Sequence, residues 1–311
     1  MVMLLPTPLE QLDLSSYDLV LSSESGPAKG VICNPDTPHL CYTHSPMRYI
    51  WDQYHAYREG LNWPMRMMWT VVSHKLRIWD VAASNRVDRY VANSSFVARR
   101  VMRCWGRESD VVHPPVDLEA YRSAPAPGPD APYLFLSELV PYKRADLAIE
   151  ACKLLGRRLK IVGSGSEMER LKKLAGPGVE FLGRVPDGEM RALYHSCRAL
   201  LFPGVEDFGI VPLEAMACGR PVLAYGRGGA LDTVKEGVSG LLFDAQTAES
   251  LADCMRRFET EMEPGLDPER VAAHAQGFGP EQFRAGMWSA IRRMAPELGL
   301  PEAPPAIAQA A

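Results

Sequence analysis

Two carboxylates with seven residues between them, Glu206 and Glu214, frame the stretch of this sequence that is richest in chemistry, FPGVEDFGIVPLEAMACG. The run reads as a strand ending at Pro203 and Gly204, a loop carrying Glu206, a helix opened by Pro212 at its first position, and a stop at Gly219. Free N–H groups near Ile210 to Leu213 would turn partial positive charge toward a bound phosphate, and Gly209 lets backbone come close to it. The two acids can then reach different parts of one extended ligand, such as a sugar and a ribose. They suit hydroxyl acceptors better than an acid–base pair. Without its neighbours the pair reads as surface charge stabilising a helix N-terminus; the flanking blocks reverse that reading.

Those residues need a scaffold, and the second half of the chain supplies its pattern. After residue 132 short apolar runs (YLFLSEL, LKIVGSG, VEFLGRV, RALLFPG, RPVLAYG) alternate with amphipathic segments, which indicates βαβ units around a buried parallel sheet. In such a sheet ligands lie beyond the carboxyl ends of the strands. The Gly163, Ser164, Gly165 turn after LKIV sits at such an end, although any βα turn wants glycine. The first half is less regular. Candidate strands lie at Tyr17 to Ser22, Leu40 to Thr43, Arg89 to Asn93 and Asp110 to His113, with helices around Tyr49 to Arg58 and Asn62 to Ala83. The proline-rich RSAPAPGPDAP can hold neither helix nor internal strand and divides the halves. The expected organisation is a first α/β domain over 1–124, a linker at 125–131, a second over 132–279, a helix over 280–296 crossing back to the first domain, and a disordered tail at 297–311.

Bulk properties exclude several classes. At 311 residues there is room for two cores, and 34 Lys+Arg against 38 Asp+Glu give no electrostatic drive toward nucleic acid. Seven scattered cysteines without a CxxC pair suit reduced thiols in the cytoplasm and suggest neither disulfides nor zinc. The start lacks a signal-peptide pattern, and no run is long and apolar enough to span a bilayer.

The segment around Glu206 resembles the signature of family 4 of the retaining glycosyltransferases of GT-B fold, through Glu206, Phe208, Gly209, Glu214, Ala215, Met216, Ala217, Cys218, Gly219, Pro221 and Val222. The similarity extends over six blocks in family order, from about Tyr17 to Cys254: CYTHSPMRYIWD, VANSSFVARRV, VVHPPVD, LVPYKRADLAIEA, IVGSGSEMERL and the signature itself. It implies two Rossmann-like domains facing a cleft. It also assigns roles. Glu206 would contact hydroxyls of the transferred sugar and Glu214 the donor ribose, while the backbone of Phe208, Gly209, Ile210 and Val211 meets sugar and diphosphate. Lys143 would offset charge growing on the leaving diphosphate. Gly163, Ser164 and Gly165 would approach the donor, Arg184 would grip the nucleobase, and His44 would face the reacting centre from the first domain. No DxD pair occurs, so no metal or other cofactor is expected and the lysine and helix N-terminus must suffice.

The resemblance implies transfer of a hexose from a nucleoside diphosphate sugar to a glycan or lipid-linked acceptor with retention of configuration. The blocks THSPMRY and LVPYKR are similar to mannosyltransferase-like members of bacterial surface-polysaccharide pathways, which makes GDP-mannose the expected donor. Two departures stand out. Ser137-Glu138-Leu139 replaces the Gly-Arg-Leu of many members, placing a carboxylate that would repel phosphate unless it faces solvent or pairs with Arg144. The family's opening strand and glycine-rich loop have no counterpart before Asp18, so the first domain reads as incomplete. Both departures support the alternative of a noncatalytic partner subunit; a GT-B sugar-nucleotide epimerase is a second alternative. Finally, LNWPMRMMWTVVSHKLRIW mixes Trp and Met with Arg and Lys. That usually marks a core-facing helix, and it also suits a helix lying on the inner face of the plasma membrane beside a lipid-linked acceptor.

Overall fold

A computed structural model describes residues 6–118 and 120–305. The chain divides into two compact units, one holding the residues up to His113 together with those from Phe283 onward, the other Pro114–Gln282.

The first unit is built on a four-stranded parallel sheet in the order β1 (Val20–Glu24), β2 (His39–Thr43), β3 (Arg89–Ala92), β4 (Ser109–Val111). Every residue of β2 is buried, as a central strand covered on both faces requires. On one face, β2 and β3 pack Cys41, Tyr90 and Ala92 against Val97, Val101 and Trp105 of the helix Ser95–Trp105. That helix is capped by the Ser94 hydroxyl and ends on Gly106. On the other face Leu40, Tyr42 and Val91 meet Ala290 and Ile291 of the helix Pro280–Met294, with Phe283, Met287 and Met294 alongside. Their spacing forms a single helical stripe. The long helix Trp63–Ser84 starts where Asn62 accepts from the Met65 N–H, with Pro64 in its first turn.

The second unit carries six parallel strands in the order β10-β9-β8-β5-β6-β7: β5 (Tyr133–Leu136), β6 (Leu159–Val162), β7 (Val179–Gly183), β8 (Leu200–Phe202), β9 (Val222–Tyr225) and β10 (Gly240–Phe243). Alternate residues explain why the central runs β5, β8 and β9 are apolar throughout, while β6 and the edge strand β7 carry Lys160 and Glu180. Tyr133, Phe135, Leu201, Leu223 and Tyr225 join one core, shared with the helices Ala145–Leu155 and Ala248–Arg257. Leu134, Leu200, Phe202, Val222 and Ala224 join the other, shared with Ile210–Ala217 and Pro268–Ala275. The chain runs outward from β5 through β6 and β7, then returns to the opposite side of β5 as β8. The strand order therefore reverses between β5 and β8, and a ligand crevice in such a sheet opens at the carboxyl ends of that pair.

Two expectations differ from what is found. The proline-rich 125–131 lies inside the second unit, whose boundary is at Pro114. Prolines bar regular structure but not packing, and the buried Arg220 guanidinium donates to the carbonyls of Ala124 and, at 2.7 Å, Pro125. The segment read as a disordered tail is ordered as far as residue 305: Pro296–Leu298 forms a 3-10 turn, Leu300 packs on the first unit's core, and Trp288 Nε1 donates to the Pro301 carbonyl at 2.8 Å. The rest of that expected tail, 306–311, lies outside the described residues.

Candidate active site

The strand-end loops of β5 and β8 carry the two most chemically active residues, and the fold brings them together. Lys143 closes the 3-10 turn Pro141–Lys143 after β5, and Glu206 sits in the loop after β8; they form an ion pair with side chains 15 % and 20 % exposed. Lys143 thus stands before a helix rather than in one. The residue at the helix start is Arg144, in the left-handed conformation at φ 57°, and its guanidinium pairs with Asp146 at 3.1 Å. Asp146, in the first turn of that helix, thus offsets the cation at its start. With Arg144 so engaged, Glu138 is exposed and its carboxylate makes no hydrogen bond or ion pair among the described residues.

The loop bearing Glu206 is pinned from β9's side. Gly229 donates its N–H to the Glu206 carbonyl at 2.9 Å, and a Cβ on Gly229 would lie 2.3 Å from the Phe208 backbone, so only glycine permits this approach. The sequence signal for this support, the GRGG after β9, was present but not singled out. Phe208 is buried, Gly209 has φ 97°, and the helix Ile210–Ala217 begins at once. Pro212 is consequently its third residue, not its first. That changes the donor set: the first turn offers the N–H groups of Ile210, Val211 and Leu213, with none from Pro212. Gly209 contributes no side-chain cap to compete with a ligand.

Glu214, one residue beyond that turn, is half-buried and accepts a 2.7 Å hydrogen bond from the hydroxyl of Tyr194. Burial first, then the Glu214 charge, pushes the Tyr194 phenol well up, so it stays a donor and orients the carboxylate. Tyr194 was not found from sequence; nothing in a helical LYHS run announces a partner twenty residues away.

The turns after β5, β6 and β7 are sewn together by backbone bonds: Leu139 N–H to the Ser164 carbonyl (3.0 Å), Ser137 N–H to Val162 (3.1 Å) and Gly163 N–H to Gly183 (2.7 Å). At Gly163 (φ 127°) a Cβ would meet the Ser137 carbonyl oxygen at 1.8 Å, and one at Gly165 would meet that of Leu139 at 2.3 Å. These glycines are required by the protein's own chain. Arg184, exposed after β7, donates Nε to Ser164 Oγ at 2.9 Å.

In the first unit His44 follows β2, half-buried, its Nε2 2.8 Å from Ser23 Oγ and its N–H on the Glu24 carbonyl at 2.7 Å. Burial lowers its pKa from the ordinary 6.5, favouring the neutral ring. Among the described residues no three His, Cys, Asp or Glu side chains gather as metal ligands, and no helix is long and apolar enough to cross a membrane.

Residues 119–274 match the family described as Glycosyl transferases group 1. The chain is 35 % identical over 234 residues to a D-inositol 3-phosphate glycosyltransferase of Acidothermus cellulolyticus, covering 64 % of this chain and 51 % of that protein. It is 31 % identical over 229 residues to a protein of the same name from Kribbella flavida, with 62 % and 54 % covered. The chain thus spans about half the length of the curated relatives it matches. Among solved structures it is similar to sucrose-phosphate synthase from Thermosynechococcus elongatus (TM-score 0.73, 20 % identity, 90 % of this chain and 74 % of that one). It is also similar to Anabaena HepE in complex with UDP and glucose (TM-score 0.59, 18 % identity, 90 % and 98 %). At these identities the structural likeness speaks for the fold.

Proposed function

This chain belongs to the glycosyl transferases group 1 family and has the paired parallel-sheet α/β architecture of GT-B proteins, and on that basis we propose that it transfers a hexose from a nucleoside diphosphate sugar to a hydroxyl acceptor with retention of configuration. The observation that carries this reading is the meeting of Lys143 and Glu206 at the carboxyl ends of β5 and β8, beside the uncapped start of Ile210–Ala217. A diphosphate placed there is met by the lysine and by amides of the first helical turn. Glu206, released from the lysine, accepts from hydroxyls of the sugar, and Glu214, held by Tyr194, from those of the ribose. The lysine neutralises charge as the glycosidic bond breaks, and the departing phosphate takes the acceptor's proton on the same face, without a metal in that step. His44 joins the catalytic set on the strength of the resemblance alone.

We take mannose as the hexose from the same resemblance, transferred to a glycan or lipid-linked acceptor of surface polysaccharide synthesis. The name of the curated relatives makes a phosphorylated inositol a further acceptor to try. Attachment to the cytoplasmic face of a membrane through the helix Trp63–Ser84 is part of the proposal. Purified protein incubated with a panel of nucleotide sugars and acceptors should release nucleoside diphosphate. Glu206→Ala should reduce kcat/KM by ~100-fold or more with unchanged circular dichroism; a fully active variant would reject the role of Glu206. Glu138 supports the second reading, a noncatalytic subunit, which predicts donor binding without release on every acceptor tried.

A further inference from the structure

A pocket of about 470 Å³, lined by neither Lys143 nor Glu206, opens at the carboxyl ends of β5, β6 and β7. Val162, Val185 and Met190 give it apolar walls, while Glu138, Arg184 and Ser164 supply its polar groups. The side-chain bond from Arg184 Nε to Ser164 leaves the terminal guanidinium nitrogens without a partner among the described residues. Glu138 is likewise exposed and unpaired there, on a turn fixed by the Leu139 and Ser137 backbone bonds. One wall group can therefore only accept and another can only donate.

We propose that this pocket selects guanine as the base of the donor nucleotide, with Glu138 as the selecting residue. The inference rests on the nucleotide-sugar reading above and deepens it. Apolar walls and a methionine suit the faces of a flat heterocycle, so identity is read at its edge. Guanine presents N1–H and the N2 amino group side by side, a pair that one carboxylate accepts together, and it offers O6 and N7 to a guanidinium. Uracil places its single N3–H between two carbonyl oxygens, which a carboxylate repels. Adenine offers one amino group next to ring acceptors and cannot engage both carboxylate oxygens. An unpaired acid in the wall of a base pocket opposes binding of any nucleotide unless the ligand brings it donors, and guanine is the common base that brings two.

Calorimetric titration of the whole chain with GDP, UDP, ADP and IDP tests this. GDP should bind at least ~10-fold more tightly than UDP or ADP, and IDP, which lacks the 2-amino group, should lose most of that advantage. Glu138→Ala, at an exposed position, should weaken GDP by ~10-fold or more, leave UDP unchanged or improved, and no longer distinguish GDP from IDP. UDP binding as tightly as GDP to the wild type, or the variant changing GDP and UDP by one common factor, overturns the guanine assignment while leaving the transferase reading intact. Failure to bind any nucleoside diphosphate overturns both.

Discussion

Lys143 and Glu206 hold each other in this structure, so a donor must take each from the other before it can use either. Two opposite charges at about 4 Å attract by roughly 4 kcal/mol at the effective dielectric of a partly solvated site, before screening reduces it. Glu206→Gln should therefore free the lysine for phosphate: affinity for bare nucleoside diphosphate rises ~3- to 10-fold even as turnover falls ~100-fold. Lys143→Met should lose both, since it removes the cation and leaves Glu206 facing the diphosphate. In the double variant part of the lost affinity should return, because the repelling carboxylate is gone. Calorimetry alongside product release measures this, and an affinity unmoved by Glu206→Gln would show that the pair does not compete with the ligand. Glu206, Glu214 and Lys143 were legible in the sequence as residue types in a characteristic run. Their pairing was not, because it joins positions 63 residues apart through the order of β5 and β8.

Elements explain which small residues cannot change. Gly163 and Gly183 both have positive φ, 127° and 68°, but differ in surroundings. A methyl on Gly163 collides with the Ser137 carbonyl, whereas nothing lies within 4 Å of one on Gly183. Gly183→Ala should then cost only ~1–2 kcal/mol for the left-handed conformation. Gly163→Ala should cost more than twice that, and it should loosen the turn carrying Glu138, weakening nucleotide binding beyond the stability loss. Chemical denaturation with nucleotide titration under native conditions separates the two effects; equal costs at both sites would refute the close-approach argument. The central strands of the second unit, β5, β8 and β9, were readable because both faces are buried and the runs are apolar throughout, whereas the edge strand β7 carries the exposed Glu180. The position of Pro212 in its helix was not, since a proline fits anywhere in the first turn, where N–H groups lack partners in any case.

At the scale of the whole molecule, the proline-rich run misled because composition reports what a segment cannot form, not where it packs; Arg220 decides that. The helix Trp63–Ser84 poses the converse problem, since its sequence suited both a core and a surface. Trp63, Met67, Val71 and Ile78 fall on one stripe at helical spacing and remain exposed, by 75 %, 52 %, 55 % and 59 %. The helix's basic residues are Arg66, Lys75 and Arg77, and its one acid, Asp80, is buried against Lys29. An apolar stripe whose accompanying charge is entirely basic complements an anionic lipid surface, where each cation near the headgroups adds ~1 kcal/mol to the burial of the stripe. Sedimentation with vesicles containing about a third anionic lipid should carry the protein down, less so at high salt, as Debye screening requires. Replacing Trp63, Met67 and Ile78 together by serine should abolish that binding while leaving GDP affinity unchanged, because these exposed side chains support no core. Wild-type protein that stays in the supernatant, or a triple variant that still sediments, would mean that the stripe serves no lipid surface.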